Sequence, residues 1–407
     1  MTTGNFFPSE TQWLRDPTTR VRFRQLTDDP GDSHHLYFTN PGWFDGGRRL
    51  LFVSTRNGAT NLFAMDLETG DFMQMTDEEA VTDTLLFTCL NPVRPEAYFW
   101  RSGSLVAVDL ETLDQRILYE TPAGYANNLL SVTSDGASVC TGIYEDLADR
   151  FAVDLLKGYV GFEEYWAAKP RSVIIAVDTI SGETREVFSE NAWIGHVNAS
   201  PAVPHLATYC HEGPWDRVDN RIWGLDLRDG RNWPIRPRTR GESVGHEYWM
   251  QDGLTLGFHG HDPSGKAFFG TVRHDNSDLL EVPFPKSFGH LHSNDPDAVV
   301  TDGSPGDPML YLWTRKPGLQ AAPVAVLRHG CSAAVQARHV HPRFNPDSSR
   351  IVFVSDVTGT GNIYEVSLDD IRASGILTRY GNLRARLLRY AARKRQKLRR
   401  FFVRLVR

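Results

Sequence analysis

The sequence predicts an all-β fold, a seven-bladed β-propeller with a basic C-terminal helical extension, and three observations carry that expectation. Short runs of alternating apolar residues are bounded by Gly, Asn and Asp turns. The runs recur as one unit of strand, turn, strand, turn and strand. That unit returns at a spacing of roughly 40 to 50 residues, which is the period of a propeller blade.

The first unit, "DGGRRLLFVSTRNGATNLFAMDLETGDFMQMTD" (45–77), reads as a strand, a turn, a second strand ending in Asp-Leu, a Thr-Gly turn and a third strand. The same grammar returns at 97–120, 172–188 and 221–235, weakens at 252–282 and 309–329, and is restored at 348–368. A ring of sheets stays open unless the chain ends share a blade, and "RVRFRQLTD" (20–28) has the pattern of the strand that closes the last one. Residues 145–170, "EDLADRFAVDLLKGYVGFEEYWAAKP", break the pattern and read as a helical insertion over one face. The propeller is expected to span 1–370, with a helical or disordered basic tail over 371–407.

The chain has 407 residues, 41% of them hydrophobic, enough for a large core. It contains no run of about 18 apolar residues, and "MTTGNFFPSETQWLRD" has neither the basic nor the apolar region of a secretion signal. Cys89, Cys140, Cys210 and Cys331 are scattered without C-x-x-C spacing, which argues against a disulfide framework and a zinc knot. A soluble, cytoplasmic protein with reduced thiols is expected. Residues 371–407 hold 13 of the 44 Lys and Arg and no Asp or Glu, so the body carries 31 basic against 50 acidic residues. Such a body is a poor partner for nucleic acid. The oligomeric state is not legible.

"QARHVHPRF" (336–344) gathers Gln336, His339 and His341. In an extended segment His339 and His341 share a face, and Gln336 joins them through a bend, which is the geometry of metal ligands. Four further stretches carry more polar and aromatic residues than packing requires: "SHHLYFTNPGWF" (33–44), "YCHEGPWDRVDNRIW" (209–223), "GHEYWMQDG" (245–253) and "GHLHSNDPDAVVTDG" (289–303). Each is expected where the chain enters a blade, so that all five meet at the central channel. "GESVG" (241–245) matches G-x-S-x-G, but a strand and not a helix is expected after it, so Ser243 reads as a loop serine.

Taken together, "HHLYF" with "FDGGRRLLF", "CHEGP" with "VDNRIW", "HEYWMQDG", "HLHSN" and "QARHVHP" with "FNPDSSRIVFVSD" resemble, in order, the oligogalacturonate lyases, propeller enzymes that cleave pectate fragments. The resemblance covers the chain except its tail. It implies a metal set of His290, Gln336, His339 and His341, with His292 an alternative to His290, and a catalytic pair of His246 and Arg221. It gives His34, His35 and His211 as candidates for binding the oligogalacturonide substrate, to which the sequence itself adds Arg217, close to Arg221 in the same stretch, the extra imidazole of His292, and Tyr248. Trp43, Trp215, Tyr248 and Trp249 read as sugar-stacking walls or as core.

The chemistry is consistent with those residue types. A uronate lyase removes the proton at C5 and expels the oxygen at C4, and a divalent cation neutralises the carboxylate that opposes the first step. Three imidazoles and an amide oxygen permit Mn²⁺, Zn²⁺, Ni²⁺ or Co²⁺; the resemblance favours Mn²⁺. His246 has the chemistry of a general base at neutral pH, and Arg221 that of a planar fork for a carboxylate. Another uronate oligosaccharide as substrate and a non-catalytic binding propeller remain open alternatives at this level.

Overall fold

A computed structural model describes residues 3–377 apart from 83, 156–157, 285–288, 305, 317–318 and 321. The described strands form seven antiparallel sheets, taken up one after another along the chain, in the arrangement of a seven-bladed propeller. Blade 1 runs from Ser33–His35 to Phe72–Gln74, blade 2 from Cys89–Leu90 to Gln115–Glu120, and blade 3 from Tyr125–Val132 to Thr184–Asn191. Blade 4 spans Ile194–Ala199 to Asn232–Ile235, blade 5 Ser243–Trp249 to Leu280–Pro283, and blade 6 Leu291–His292 to Val324–Arg328. Blade 7 contains Arg343–Phe344, Arg350–Ser355 and Asn362–Ser367.

The core is divided among the gaps between blades, because each sheet is apolar on both faces. Leu51, Leu62, Phe99 and Val106 fill the gap between blades 1 and 2. Tyr98, Trp100, Val139 and Val173 fill the next, and corresponding layers continue around the ring. A further layer of Leu26, Phe52, Phe63, Val352 and Ile363 joins blade 7 to blade 1. Each fully buried Leu or Phe in these layers contributes about 1.5–3 kcal/mol.

The closing strand lies where the sequence puts it. Arg22–Gln25 pairs with Asn362–Ser367, with Arg24 opposite Glu365. Gln12–Arg15 adds outside it, and Phe6–Phe7 adds to the outer strand of blade 1. The N-terminal segment therefore stitches two neighbouring blades.

The excursion after blade 3's second strand is less helical than expected, with one helix of seven residues, Phe162–Ala168. Gly161 at φ 80° precedes it and Lys169 at φ 49° ends it. Tyr144, Leu147, Tyr165 and Trp193 pin the excursion to the propeller, and the Leu147 amide donates to the Tyr165 hydroxyl at 2.8 Å. After blade 7, the helix Leu368–Ala373 is capped by Ser367, whose side chain accepts from the Asp370 amide at 3.0 Å. Residues 378–407, most of the expected basic extension, lie outside the described residues.

Candidate active site

The innermost strands are not regular. Register shifts fall at Asn127/Leu130 in blade 3, Gly195/Asn198 in blade 4 and Gly245/Tyr248 in blade 5. Bulges of this kind turn a side chain off the sheet face and are common beside active sites. His196 and His246 sit in two of them with φ of 49° and 50°, and His341 has φ 41°. A left-handed backbone is uncommon for a residue that carries a Cβ, and three histidines hold it here where the surroundings impose it.

Gly245 has a specific reason to be glycine. A Cβ there would lie 2.3 Å from the Trp215 ring, which stands edge-on to His246 with centroids 4.8 Å apart. Ser243 opens a strand and contacts His261 Nδ1 at 3.3 Å, so no nucleophile elbow forms.

One ring nitrogen from each of His290, His339 and His341 lies within 4.8 Å of the others. His290 Nδ1 is bound to Asp302 Oδ2 at 3.1 Å, and Asp302 Oδ1 accepts from the Gly289 and His290 amides. This leaves Nε2 of His290 for the cluster, the carboxylate–histidine pattern of a metal ligand. His341 Nδ1 meets His34 Nε2 at 3.2 Å, while the other nitrogen of His34 contacts the His35 carbonyl.

The fit to a metal is tested by the atoms left over. Among the described residues, His339 Nδ1, His341 Nε2 and Gln336 Oε1 are buried and have no hydrogen-bond partner. Unpaired buried polar atoms cost roughly 1–3 kcal/mol each, and a divalent cation would satisfy such atoms on the residues that held it. Gln336 lies in the 3₁₀ turn Gln336–Arg338, so the bend is present although that part of the segment is not extended. Its amide nitrogen donates to Tyr159 Oη at 3.2 Å, which leaves Oε1 available.

His246 stacks on His290 with centroids 4.4 Å apart, and its Nδ1 is 2.9 Å from His259 Nε2. Burial, then the neighbouring His290, His259 and Arg221, hold its pKa well below the usual histidine range, so the imidazole is neutral at pH 7.

Arg221 corrects an expectation. Its Nη1 donates to Glu212 at 2.8 Å and its Nε to Glu247 at 3.3 Å. With both edges of the guanidinium engaged, a bidentate fork is not open to a substrate carboxylate, and Nη2 remains. Burial pushes Glu212 up, but Arg221 and His196 more than offset it and bring it down to about 2. A second close group, His196, Cys210 and Glu247, has the Arg221 cation against its carboxylate.

A cavity of about 680 Å³ joins His246, His290, Gln336, Arg221 and Trp215 to Val153, Tyr159 and Phe162 of the blade 3 excursion. Other expected residues are placed elsewhere. The stretch 209–223 links the second and third strands of blade 4 and is not where the chain enters a blade. His211 is held between Asp219 and Glu190 at 2.6 and 2.8 Å. Arg217 pairs with Glu163 at 2.9 Å and lies over the Trp166 ring.

His292 and Tyr248 stack on each other at 5.3 Å. His292 Nδ1 accepts from the Phe344 amide, and Tyr248 packs in the layer between blades 5 and 6. Geometry therefore separates His290 from His292. His34 contacts His341, His35 is buried against His34, Trp43 packs between blades 7 and 1, and Trp249 donates to the Asn198 carbonyl.

Sequence reasoning missed His196, Glu212, Tyr159, His259 and Asp302. His196 had a signal: His196, His246, His290 and His341, at separations of 50, 44 and 51 residues, fall where blades 4 to 7 begin.

The chain matches the oligogalacturonate lyase family over residues 1–371. It is 28% identical to an oligogalacturonide lyase of Pectobacterium atrosepticum, over 91% of this chain and 99% of that protein. It is 29% identical to an oligogalacturonate lyase of Dickeya dadantii, over 88% of this chain and 95% of that one. Among solved structures, an oligogalacturonate lyase in complex with manganese superposes with a TM-score of 0.81 at 28% identity, covering 90% of this chain and 98% of that chain.

Proposed function

The chain belongs to the oligogalacturonate lyase family, and from that premise we propose that it cleaves short galacturonate oligomers, saturated or unsaturated, by β-elimination to 5-keto-4-deoxyuronate. The observation that carries this reading is the close cluster of His290, His339 and His341, with partnerless nitrogens on His339 and His341, beside the neutral His246. His290, Gln336, His339 and His341 would hold a divalent cation, Mn²⁺ by analogy with the manganese complex of the similar lyase. When bound, that cation supplies positive charge against the substrate carboxylate and favours the charge that develops as C5 loses its proton.

The remaining work falls to side chains. His246 takes the C5 proton as general base, the C5–H pair forms the new double bond, and the C4–O pair departs with the leaving sugar. Arg221 contributes a fixed cation near this charge and one free donor, Nη2, while Glu212 and Glu247 hold it rigidly. Trp215 offers an apolar wall to a sugar ring, and the blade 3 excursion limits the cavity to a ligand far shorter than a polymer. Four free, buried cysteines suit a reducing cytoplasm, where imported oligomers would be met.

The test is turnover of digalacturonate and trigalacturonate by the purified protein, with and without chelator and added Mn²⁺, with products resolved by chromatography. Product formation that chelator stops and Mn²⁺ restores is the expected result. No turnover with any divalent metal would remove galacturonate as the substrate and turn attention to other uronate oligomers.

A further inference from the structure

Two imidazoles joined through ring nitrogens at 2.9 Å share one proton, so one must donate and the other accept. This is the situation of His246 Nδ1 and His259 Nε2. His259 is on the second strand of blade 5, paired opposite Gly245 in the register, and it is buried. For His246 to take up a proton at Nε2, that nitrogen must be the lone pair, so the proton between the two rings belongs to His246 Nδ1 and His259 Nε2 accepts it.

We propose that His259 is the positioning residue of the catalytic base: its Nε2 accepts from His246 Nδ1, which fixes His246 in its Nδ1–H tautomer and leaves Nε2 of His246 free to receive the C5 proton. This rests on His246 being the base. The neutral His259 takes the place that a carboxylate holds in a serine-hydrolase triad, where the orienting group fixes the tautomer without itself being protonated.

Trp215 supports the arrangement by standing edge-on to both rings, at 4.8 and 5.6 Å. When His246 accepts the proton at Nε2 it becomes an imidazolium that still donates from Nδ1, so the bond to His259 strengthens as charge develops. His246 also stacks on His290, so the oriented base lies against a metal-ligand candidate.

The test compares His259→Gln with His259→Met in the Mn²⁺-loaded enzyme. The two side chains have similar length, and only glutamine keeps an acceptor for Nδ1–H. His259→Met is expected to lose about 100-fold in kcat, the scale of general-base contributions, with KM, bound metal and Tm close to wild type. His259→Gln is expected to recover most of that loss. Equal kcat for the two variants, or a parallel loss of KM, metal and Tm in both, would overturn the positioning role. His246→Ala is measured beside them: if it retains turnover, the assignment of the base fails, whereas loss in His246→Ala with full activity in His259→Met sinks only the inference about His259.

Discussion

His290 and His246 stack 4.4 Å apart, yet the group behind each ring assigns it a different task. Asp302 backs His290, which would strengthen it as a cation ligand, whereas an imidazole backs His246, a ring kept neutral first of all by burial. Asp302→Asn is accordingly expected to weaken metal binding by about 10- to 100-fold with little change in thermal stability at saturating metal, as titration calorimetry would report; unchanged affinity would remove the supporting role of the carboxylate. His339→Ala is expected to lose both metal and turnover, and His246→Ala to lose turnover alone, with bound metal read by elemental analysis. At this scale the sequence was legible where neighbours along the chain stay neighbours in space, as His339 and His341 do in the cluster with His290. Arg221 shows the limit, because a guanidinium reads as a free fork until Glu212 and Glu247 are brought to it from elsewhere in the fold.

Among elements, the strand Arg22–Gln25 has the largest burden, since it holds the first part of the chain against the last. Glu365 accepts from Arg24 and Arg350, at 2.6 Å each, and is only 4% exposed. Glu365→Ala leaves Arg24 without its partner in a dry seam and should cost about 3 kcal/mol, seen as a lower urea midpoint. Arg24→Ala in the same background should cost much less than it does alone, because the partner is already gone; additive losses would mean that the pair does not couple the blades.

This strand was legible because it alternates over several residues, while Phe6–Phe7 was not, since two residues carry no period. The fading of the repeat at blade 5 has a cause in packing. A Cβ at Gly270 would come within 2.2 Å of Phe258, and one at Gly257 within 2.4 Å of Tyr248, so aromatic rings fill spaces that the apolar alternation would otherwise mark. The excursion within blade 3 was read as helical because it breaks the strand pattern, but Gly161 and Lys169, both at positive φ, bound the helix at Phe162–Ala168.

At the scale of the molecule, seven apolar layers and one closed ring make the blades a single mechanical object, with titratable groups buried along its centre and at blade 4. The pH dependence of stability follows from how those groups differ from the unfolded chain. Burial, opposed by contacts with the His35 and His339 backbone, brings His34 down to about 4, and burial with His290 brings His259 down to about 3. The unfolded chain takes up these protons near pH 6.5, so stability is intact above that pH and falls as pH drops toward 4 and 3.

His211 has the opposite sign. Burial lowers it, but Asp219 and Glu190 outweigh burial and raise it to about 9. Its contribution is complete below the unfolded value and disappears as pH rises from about 6.5 through 9. Metal-free protein, in which ligand protonation and metal loss do not compound each other, should therefore show maximal urea stability near pH 6.5. Each histidine that titrates tilts the curve by at most about 1.4 kcal/mol per pH unit. His211→Gln should flatten the alkaline limb and leave the acid limb in place; an alkaline limb that survives this substitution would place its origin outside the Asp219–His211–Glu190 cluster.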